Sequence, residues 1–238
     1  MSEKDYDMKG NKLNSKKLKV ELIDEDLHLL MERYHYEESD FTQLQHVYYA
    51  LEPFVETKVY WEYNPAYDFV EYEDYAVVAI TLGNYFDKMQ EIYQDSQNLR
   101  EAYMMDCIGA ELLMKAYQET NGWIQSETAL WSSKIEFIGE KYPLERMAEI
   151  LEHMNLPKEQ EANTCIYCNE AYMLFPLKSA IYITALQKVK PEEPAECLTI
   201  CESCSNKGCS NRIQEKKANG EKKEKDNWTY GYQKIFGK

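Results

Sequence analysis

Four of the seven cysteines in this chain lie within thirteen residues near its C-terminal end. They are Cys197, Cys201, Cys204 and Cys209, with the spacing C-x3-C-x2-C-x4-C. Thiolates this close together suit a zinc ion or an iron–sulfur cluster better than a set of disulfides. We therefore expect a metal or cluster on these four residues, with free thiols as the alternative. Zinc would make the group structural, whereas a [4Fe–4S] cluster would make it redox-active.

The other cysteine patterns predict less. The first three clustered cysteines share the spacing of radical S-adenosylmethionine enzymes, but only 34 residues follow Cys204, too few for the barrel that such a motif precedes. Cys165 and Cys168 form a C-x2-C pair, which on a strand would point to opposite faces and could chelate jointly only at a turn or bulge. Cys107 lies within a helical pattern and is expected to be packed.

Composition predicts a folded protein of the cytoplasm. Of 238 residues, 44% are hydrophobic and 13% aromatic, which is enough to build a core without disulfides. The net charge of −15 argues against a nucleic-acid partner, because phosphate binding requires a basic face. Neither an apolar leader nor a membrane-spanning run is recognisable, so no membrane association is expected.

Periodicity predicts an α+β fold with an antiparallel sheet. Helical spacing occurs over residues 22–31, 41–51, 85–94, 98–119 and 143–154, and strand-like patterns occur over 55–63, 75–82, 134–139, 165–172 and 179–186. Asn121-Gly122 is expected to end the fourth helix. Gly109 and Ala110 would allow another segment to approach that helix closely.

These patterns divide the chain into four parts. Residues 1–18 are polar and lysine-rich and are expected to form a flexible N-terminal arm. The α+β domain covers residues 19–196, and the cysteine-rich motif covers 197–212. Residues 213–238 form a charged tail with an aromatic end.

Several segments, in order, resemble the activation (reactivation) domain of cobalamin-dependent methionine synthase, and especially its short free-standing relatives in anaerobic bacteria. The strand Ala-Ile-Thr-Leu-Gly at 79–83 precedes a long helix at 99–113 that is similar to the family's "EA…DAIGSALVE" helix. Further similarity lies in segments 142–151 and 169–179 and in the tail from Cys201 to Arg212. The resemblance covers roughly residues 75–212.

The resemblance implies a C-shaped domain around a twisted antiparallel sheet flanked by helices, closed here by the cysteine-rich knuckle. Family members bind S-adenosylmethionine and lie over a cobalamin held by a separate domain. They permit reductive methylation of cobalt that has drifted to Co(II), with the electron coming from a donor protein and the methyl group from S-adenosylmethionine.

Candidate ligand contacts follow from two family segments. The family's loop reads R-x-x-P-G-Y-x-x-x-P, and the matching segment here contains Lys134, Gly139 and Tyr142. Lysine in place of arginine loses the planar fork that grips a carboxylate. The Pro-Gly-Tyr core is also eroded, with glutamate and lysine residues inserted. The second segment supplies three further candidates, Glu170, Tyr172 and Lys178.

Two functions remain open from the sequence. The first is an accessory protein of corrinoid-dependent methyl transfer, which aids reductive activation of a separate cobalamin-binding protein or methyltransferase, with or without S-adenosylmethionine. The second is a non-catalytic, metal-stabilised interaction module derived from this fold, whose S-adenosylmethionine pocket has decayed. An independent methyltransferase is disfavoured by the altered loop.

Overall fold

The computed structural model describes residues 5–6, 12–139, 141–156 and 163–191. The strands are β1 (Asp5–Tyr6), β2 (Lys12–Leu18), β3 (Thr57–Tyr63), β4 (Tyr75–Thr81), β5 (Trp131–Phe137), β6 (Tyr167–Cys168), β7 (Leu174–Phe175) and β8 (Ser179–Gln187). The helices are α1 (Asp24–Tyr34), α2 (Phe41–Leu51), α3 (Asn84–Asp95), α4 (Leu99–Thr128) and α5 (Arg146–Met154), with 3-10 turns at Glu38–Asp40 and Glu52–Phe54.

The main sheet is antiparallel and has the strand order β1-β2-β3-β4-β8-β5. Five strands form its body, and the two-residue β1 pairs with the outer edge of β2. Near the middle of β4, Val78 pairs with Trp61 of β3 and with Tyr182 of β8. All seven residues of β4 are buried, which explains its continuous apolar sequence, because both of its faces are covered.

Helices α1 to α4 cover one face of the sheet. Alternate residues of the strands point toward these helices, since side chains on a strand alternate between faces. The largest fully buried members of this helical face are Trp61, Tyr48, Tyr182, Phe86, Leu27, Leu30, Leu44, Leu51, Met104 and Met105. These side chains form the main core.

The opposite face is covered by α5 and by the loop 64–74 between β3 and β4. Tyr60, Val77 and Ile183 point to this side from the strands. They pack against Tyr67 of the loop and Ile150 of α5. This second core is smaller and richer in tyrosine, and it lies next to the turn that follows β5.

Most of the elements expected from periodicity are present, and the α+β class with an antiparallel sheet is confirmed. Helix α2 has the expected bounds, and β4 and β8 differ from expectation by one residue at one end. Cys107 is buried in α4 and lies 3.8 Å from the hydroxyl of Tyr36, so its predicted packing role is confirmed.

Three expectations were wrong. Residues 12–18 were expected to belong to a loose arm but form β2, because their backbone pairs with β3 from Asn14 to Leu18. Helix α4 does not end at Asn121-Gly122 and continues to Thr128, since Ile124 packs into the core. The strand expected over residues 165–172 is reduced to Tyr167–Cys168, because residues 169–173 form a tight turn.

The cysteine-rich motif at 197–212 and the tail at 213–238 lie outside the described residues. Within the part of the chain that the structure describes, no helix combines the length and apolar character needed to cross a membrane.

Candidate functional site

The segment from β5 to the following turn is centred on a buried carboxylate, Glu136. Lys134 lies two residues earlier on the same strand face, and its ammonium is 2.6 Å from Oε1 of Glu136. On the other side, the ammonium of Lys141 is 3.2 Å from Oε2, and the hydroxyl of Tyr142 donates to Oε2 at 3.0 Å. Both oxygens of Glu136 are therefore engaged by side chains of the protein itself.

The electrostatics of this cluster favour the ionised form of Glu136. Burial alone would raise the pKa of this carboxyl, but hydrogen bonds from Lys134, Tyr72, Lys141 and Tyr142 outweigh burial and lower it. The pKa of Lys134 is raised by its hydrogen bond to Glu136. The pKa of Tyr142 is raised, first by burial and then by its hydrogen bond to the same carboxylate.

Gly139 shapes the turn that brings Tyr142 back toward the strand. Its φ is +98°, a value that L side chains rarely adopt, and its amide donates to the carbonyl of Tyr142 at 2.8 Å. A Cβ at this position would lie 2.6 Å from Cδ2 of Leu144. The displaced glycine of the predicted loop therefore has a structural function that the geometry explains.

The ring of Tyr142 is fixed by aromatic packing. It makes an edge-to-face contact with Phe69 of the 64–74 loop, with ring centroids 5.4 Å apart. The guanidinium of Arg146, on α5, lies 4.5 Å from the centroid of the Phe69 ring. These contacts hold the turn after β5 against the second core.

Glu170 and Tyr172 lie in the turn between β6 and β7. The side-chain oxygen of Asn169 accepts hydrogen bonds from the amides of Ala171 and Met173, both at 3.0 Å. Tyr172 adopts a left-handed φ of +58°, and Glu170 is exposed. The two residues are therefore positioned by a tight hairpin turn, rather than by a strand.

Lys178 lies just before β8, and its side chain points to the helical face of the sheet. Its ammonium is 2.6 Å from Oδ1 of Asp106 on α4 and lies 5.8 Å from the Phe86 ring centroid. The side chain of Lys178 is only 14% exposed. It is thus one member of a packed ion pair between the sheet and α4.

The structure does not bring the six predicted ligand residues into one pocket. Lys134 lies on the opposite face of the sheet to Lys178 and pairs with Ala185. Ala185 lies six positions after Ser179 on β8, a distance of roughly 20 Å along the strand. Gly139 and Tyr142 lie nearer the β6–β7 hairpin. Ile138, the residue before Gly139, donates its amide to the carbonyl of Ile181 near the start of β8, which follows that hairpin. The turn after β5 and the hairpin therefore share one end of the sheet.

Tyr72 was missed as a contributor to this site. An acidic run such as Glu71 to Asp74 is typical of a solvated loop, and Glu71 and Glu73 are indeed exposed. Tyr72 is half-buried between them and helps to lower the pKa of Glu136. A tyrosine alternating with glutamates was the available signal, since the alternation places one side chain inward and its neighbours outward.

The described cysteines do not form a metal site. Cys165 precedes the short strand that contains Cys168, and both are half-buried. Burial raises the pKa of Cys165. In the described ranges, no group of three or more histidine, cysteine, aspartate or glutamate side chains could hold a metal ion. Cys197, Cys201, Cys204 and Cys209 lie outside those ranges.

The residues around Gly139 do not fit the carboxylate of S-adenosylmethionine. The hydroxyl of Tyr142 donates its one hydrogen to Glu136, and the ammonium of Lys134 uses one of its three donors on the same carboxylate. A ligand carboxylate beside these residues would lie close to the negative charge of Glu136, which would repel it. The geometry agrees with the altered sequence of this loop.

Comparison with known proteins supports the fold. No protein-family model matches the chain, and no curated protein matches it in sequence. Among solved structures, the chain is similar to the crystal structure of the MetH reactivation domain bound to AdoHcy. The likeness has a TM-score of 0.50 at 10% sequence identity, and it covers 76% of this chain and 80% of that one. At this identity, the comparison shows a shared fold.

Proposed function

We propose that this chain is an accessory protein of corrinoid-dependent methyl transfer. It docks on a separate cobalamin-binding protein and aids the reductive activation of that protein's cobalt. The observation that carries the proposal is the likeness to the MetH reactivation domain, which extends over 76% of the chain. The order of the family-like segments along the sequence supports the same assignment.

An apolar surface at one end of the sheet is the docking site in this proposal. Leu144 packs on the turn at Gly139, and Tyr167, Met173 and Leu177 belong to the hairpin region just before β8. These four side chains are between 43% and 53% exposed. Large apolar side chains gathered at one edge are typical of a protein interface.

The chemistry assigned to the chain is positional. In this proposal an external donor would transfer one electron to Co(II), giving Co(I). The Co(I) would then displace the methyl group from a methyl donor, giving methyl-Co(III) and releasing the demethylated donor. The described residues contribute contacts that hold the corrinoid protein in an arrangement open to these reactions. S-adenosylmethionine is not assigned to this chain in the proposal, because the carboxylate of Glu136 lies beside Lys134 and Lys141 and would repel the ligand carboxylate.

A second candidate function is a non-catalytic interaction module that kept the fold and lost the ligand site. The internal pairing of Glu136 with Lys134 and Lys141 favours this candidate. The two functions make different predictions. The accessory protein changes the reduction of cobalt in its partner, whereas the module binds a partner without changing cobalt chemistry.

Binding and reduction can be measured with one probe, the cobalamin-binding domain of a cobalamin-dependent methionine synthase loaded with Co(II) cobalamin. We expect association with a dissociation constant below about 100 μM and faster loss of the Co(II) absorption when a chemical reductant and S-adenosylmethionine are added. Association without a faster reaction favours the second candidate. No association at that concentration contradicts the docking proposal.

Matched variants test the docking surface. Replacing Met173 and Leu177 with glutamate places two charges in the proposed interface and should weaken association at least tenfold. The control is Ile92→Glu on α3, where the side chain is 58% exposed and lies on another element. Equal weakening by both changes would locate the interface elsewhere.

The cysteine-rich motif is proposed as a metal or iron–sulfur centre associated with this function. Anaerobically purified protein should contain zinc, or iron with sulfide and a brown colour, in a ratio near one centre per chain. Replacing Cys201 and Cys204 with serine should remove the metal, while Cys168→Ser serves as the control. Metal-free wild-type protein from an iron- and zinc-supplemented culture would leave the cysteines as free thiols.

A further inference from the structure

Four side chains from three segments surround the carboxylate of Glu136. Lys134 approaches one oxygen from β5 at 2.6 Å. Lys141 and Tyr142 approach the other oxygen from the following turn, at 3.2 Å and 3.0 Å. Tyr72 of the 64–74 loop lies beside them, with its ring centroid 4.9 Å from the ammonium of Lys141, and it helps to lower the pKa of Glu136. Two lysines and two tyrosines therefore surround one buried anion.

Lys141 and Tyr142 are held in place by contacts that do not involve Glu136. The ammonium of Lys141 lies over the rings of Tyr72 and Tyr142, at 4.9 Å and 5.3 Å from their centroids. Tyr142 is fixed in turn by the ring of Phe69 and by the backbone bond from Gly139. The positions of Lys141 and Tyr142 should therefore persist when the carboxylate is removed.

The cage has more positive than negative charge. Two lysines face the single carboxylate of Glu136, and the nearest additional carboxylate is that of Glu71, 3.9 Å from Lys141. The Glu71 side chain is 84% exposed, so water screens it strongly, whereas the Glu136 side chain is only 6% exposed. Glu136 is thus the buried negative charge beside the two ammoniums, whose side chains are 50% and 38% exposed.

The geometry points to a carboxylate-binding cage formed by Tyr72, Lys134, Lys141 and Tyr142, in which the chain's own Glu136 is the bound carboxylate. The internal carboxylate excludes external ones from the wild-type protein. Removing it while keeping the four donors opens a site for a small free carboxylate such as acetate. This inference does not depend on the proposed role in cobalt activation.

Thermal unfolding of Glu136→Ala in acetate and in chloride at equal ionic strength tests the cage. The alanine variant leaves a space where the carboxymethyl group was, and acetate binding there should raise the melting temperature. At about ten times the dissociation constant, we expect acetate to raise it by roughly 3–6 °C more than chloride does. An equal response to both salts would overturn the inference.

Two single variants and one double variant separate binding in the cage from general salt effects. In Glu136→Gln the side chain still fills the space, so acetate should give no increase over chloride. In Glu71→Ala the exposed carboxylate beside Lys141 is removed, and the acetate response should equal that of the wild type. Adding Lys134→Ala to Glu136→Ala should abolish the acetate response, because one of the two cations is lost. An undiminished response in this double variant contradicts the cage.

Refolding gives a second measurement in case Glu136→Ala is too unstable to purify in chloride. The variant is diluted from denaturant into acetate or chloride, and the soluble folded yield is compared. The inference requires a higher yield in acetate, so equal yields, including none in either salt, contradict it. Calorimetry with S-adenosylhomocysteine compares the wild type with Lys134→Ala. We expect no binding that depends on Lys134, so binding that is present in the wild type and lost in Lys134→Ala would also overturn the inference.

Discussion

The ring of Phe86 on α3 lies directly against Gly109 on α4, with no space for a methyl group between them. A Cβ at position 109 would lie 2.5 Å from Cζ of Phe86 and 2.9 Å from Cε of Lys178. Phe86 is fully buried, so its ring cannot move aside without disturbing the core. The glycine therefore sets how closely α3 packs on α4 and where Lys178 meets Asp106.

Gly109→Ala should destabilise the protein despite the higher helix propensity of alanine. The added methyl group overlaps the Phe86 ring, and overpacking of a dense core costs about 1–3 kcal/mol. Gly122→Ala is the matched control on the same helix, because nothing lies within 4 Å of a Cβ at that position. We expect this control to stabilise the fold by about 0.5–1 kcal/mol.

Urea denaturation followed by circular dichroism measures both free energies of unfolding. The packing argument requires opposite signs for the two glycines. Stabilisation by both substitutions would mean that Phe86 has room to move and that the close contact with Gly109 does not limit helix packing.

The sequence predicted those elements whose burial is visible in their own residue pattern. The apolar run of β4 requires burial on both faces, and the spacing of Leu44, Val47 and Leu51 requires a helix with one buried face. The end of α4 could not be predicted in the same way. Gly122 favours termination locally, but burial of Ile124 extends the helix until Ala129 adopts a left-handed conformation.

Strand β2 and the Glu136 cage depend on contacts between distant segments. Residues 12–18 are mostly polar and lysine-rich, and only pairing with β3 makes them a strand. Lys134 and Lys141 both lie in the altered loop segment, close to Glu136 in the sequence. Tyr72 lies near Glu136 in the fold but 64 residues earlier in the chain. One sequence contains no direct record of that proximity, so the predicted ligand contact at Lys134 could not be distinguished from an internal ion pair.

Tyr48 should stabilise the fold through one buried hydrogen bond. Its hydroxyl accepts a bond from the amide of Leu22 at 2.8 Å, and Tyr48 is 2% exposed. Tyr48→Phe leaves that amide without its acceptor inside the protein, which should cost about 1–3 kcal/mol. Tyr49→Phe is the control, because the adjacent side chain is 54% exposed and should change the free energy of unfolding by less than about 0.5 kcal/mol. Similar effects of the two changes would exclude a special role for the Leu22 bond.

Asn163 should hold the first turn of α3 from a distant part of the chain. Its backbone carbonyl accepts from the amide of Asn84 at 2.7 Å, and its side-chain oxygen accepts from the amide of Tyr85 at 2.9 Å. Asn163→Ala removes the second acceptor and should cost about 0.5–2 kcal/mol. Hydrogen exchange at Tyr85 should become faster, since its amide loses its partner.

Asn98 is the matched control for this cap. It precedes α4, but its side chain makes no capping hydrogen bond. Asn98→Ala should therefore leave exchange at Tyr85 unchanged and have little effect on stability. If Asn163→Ala also leaves exchange at Tyr85 unchanged, the first turn of α3 is held by other contacts.

Glu136 should make stability depend on pH in a defined direction. Although burial opposes ionisation, hydrogen bonds from Lys134 and its neighbours lower the pKa of this carboxyl in the folded state below the ordinary value of 4.5. As the pH falls below 4.5, Glu136 is protonated in the unfolded chain before it is protonated in the folded protein. The stabilisation is therefore complete above pH 4.5 and is lost as the pH falls through the folded-state pKa. Glu136→Gln removes this titration. The difference in free energy of unfolding between wild type and Glu136→Gln should therefore shrink as the pH is lowered from about 6 to about 3.

Chemical denaturation across this range measures that difference, and Glu71→Gln is the control. Glu71 lies near the same Lys141 but is 84% exposed, so its removal should leave a small difference that varies little with pH. The two glutamates share a lysine and differ in burial and in the number of donors. The difference in free energy of unfolding between wild type and Glu136→Gln could instead stay constant with pH. That result would mean that the surrounding donors do not stabilise the ionised carboxylate of Glu136, and it would contradict the role of Glu136 as the bound anion of the cage.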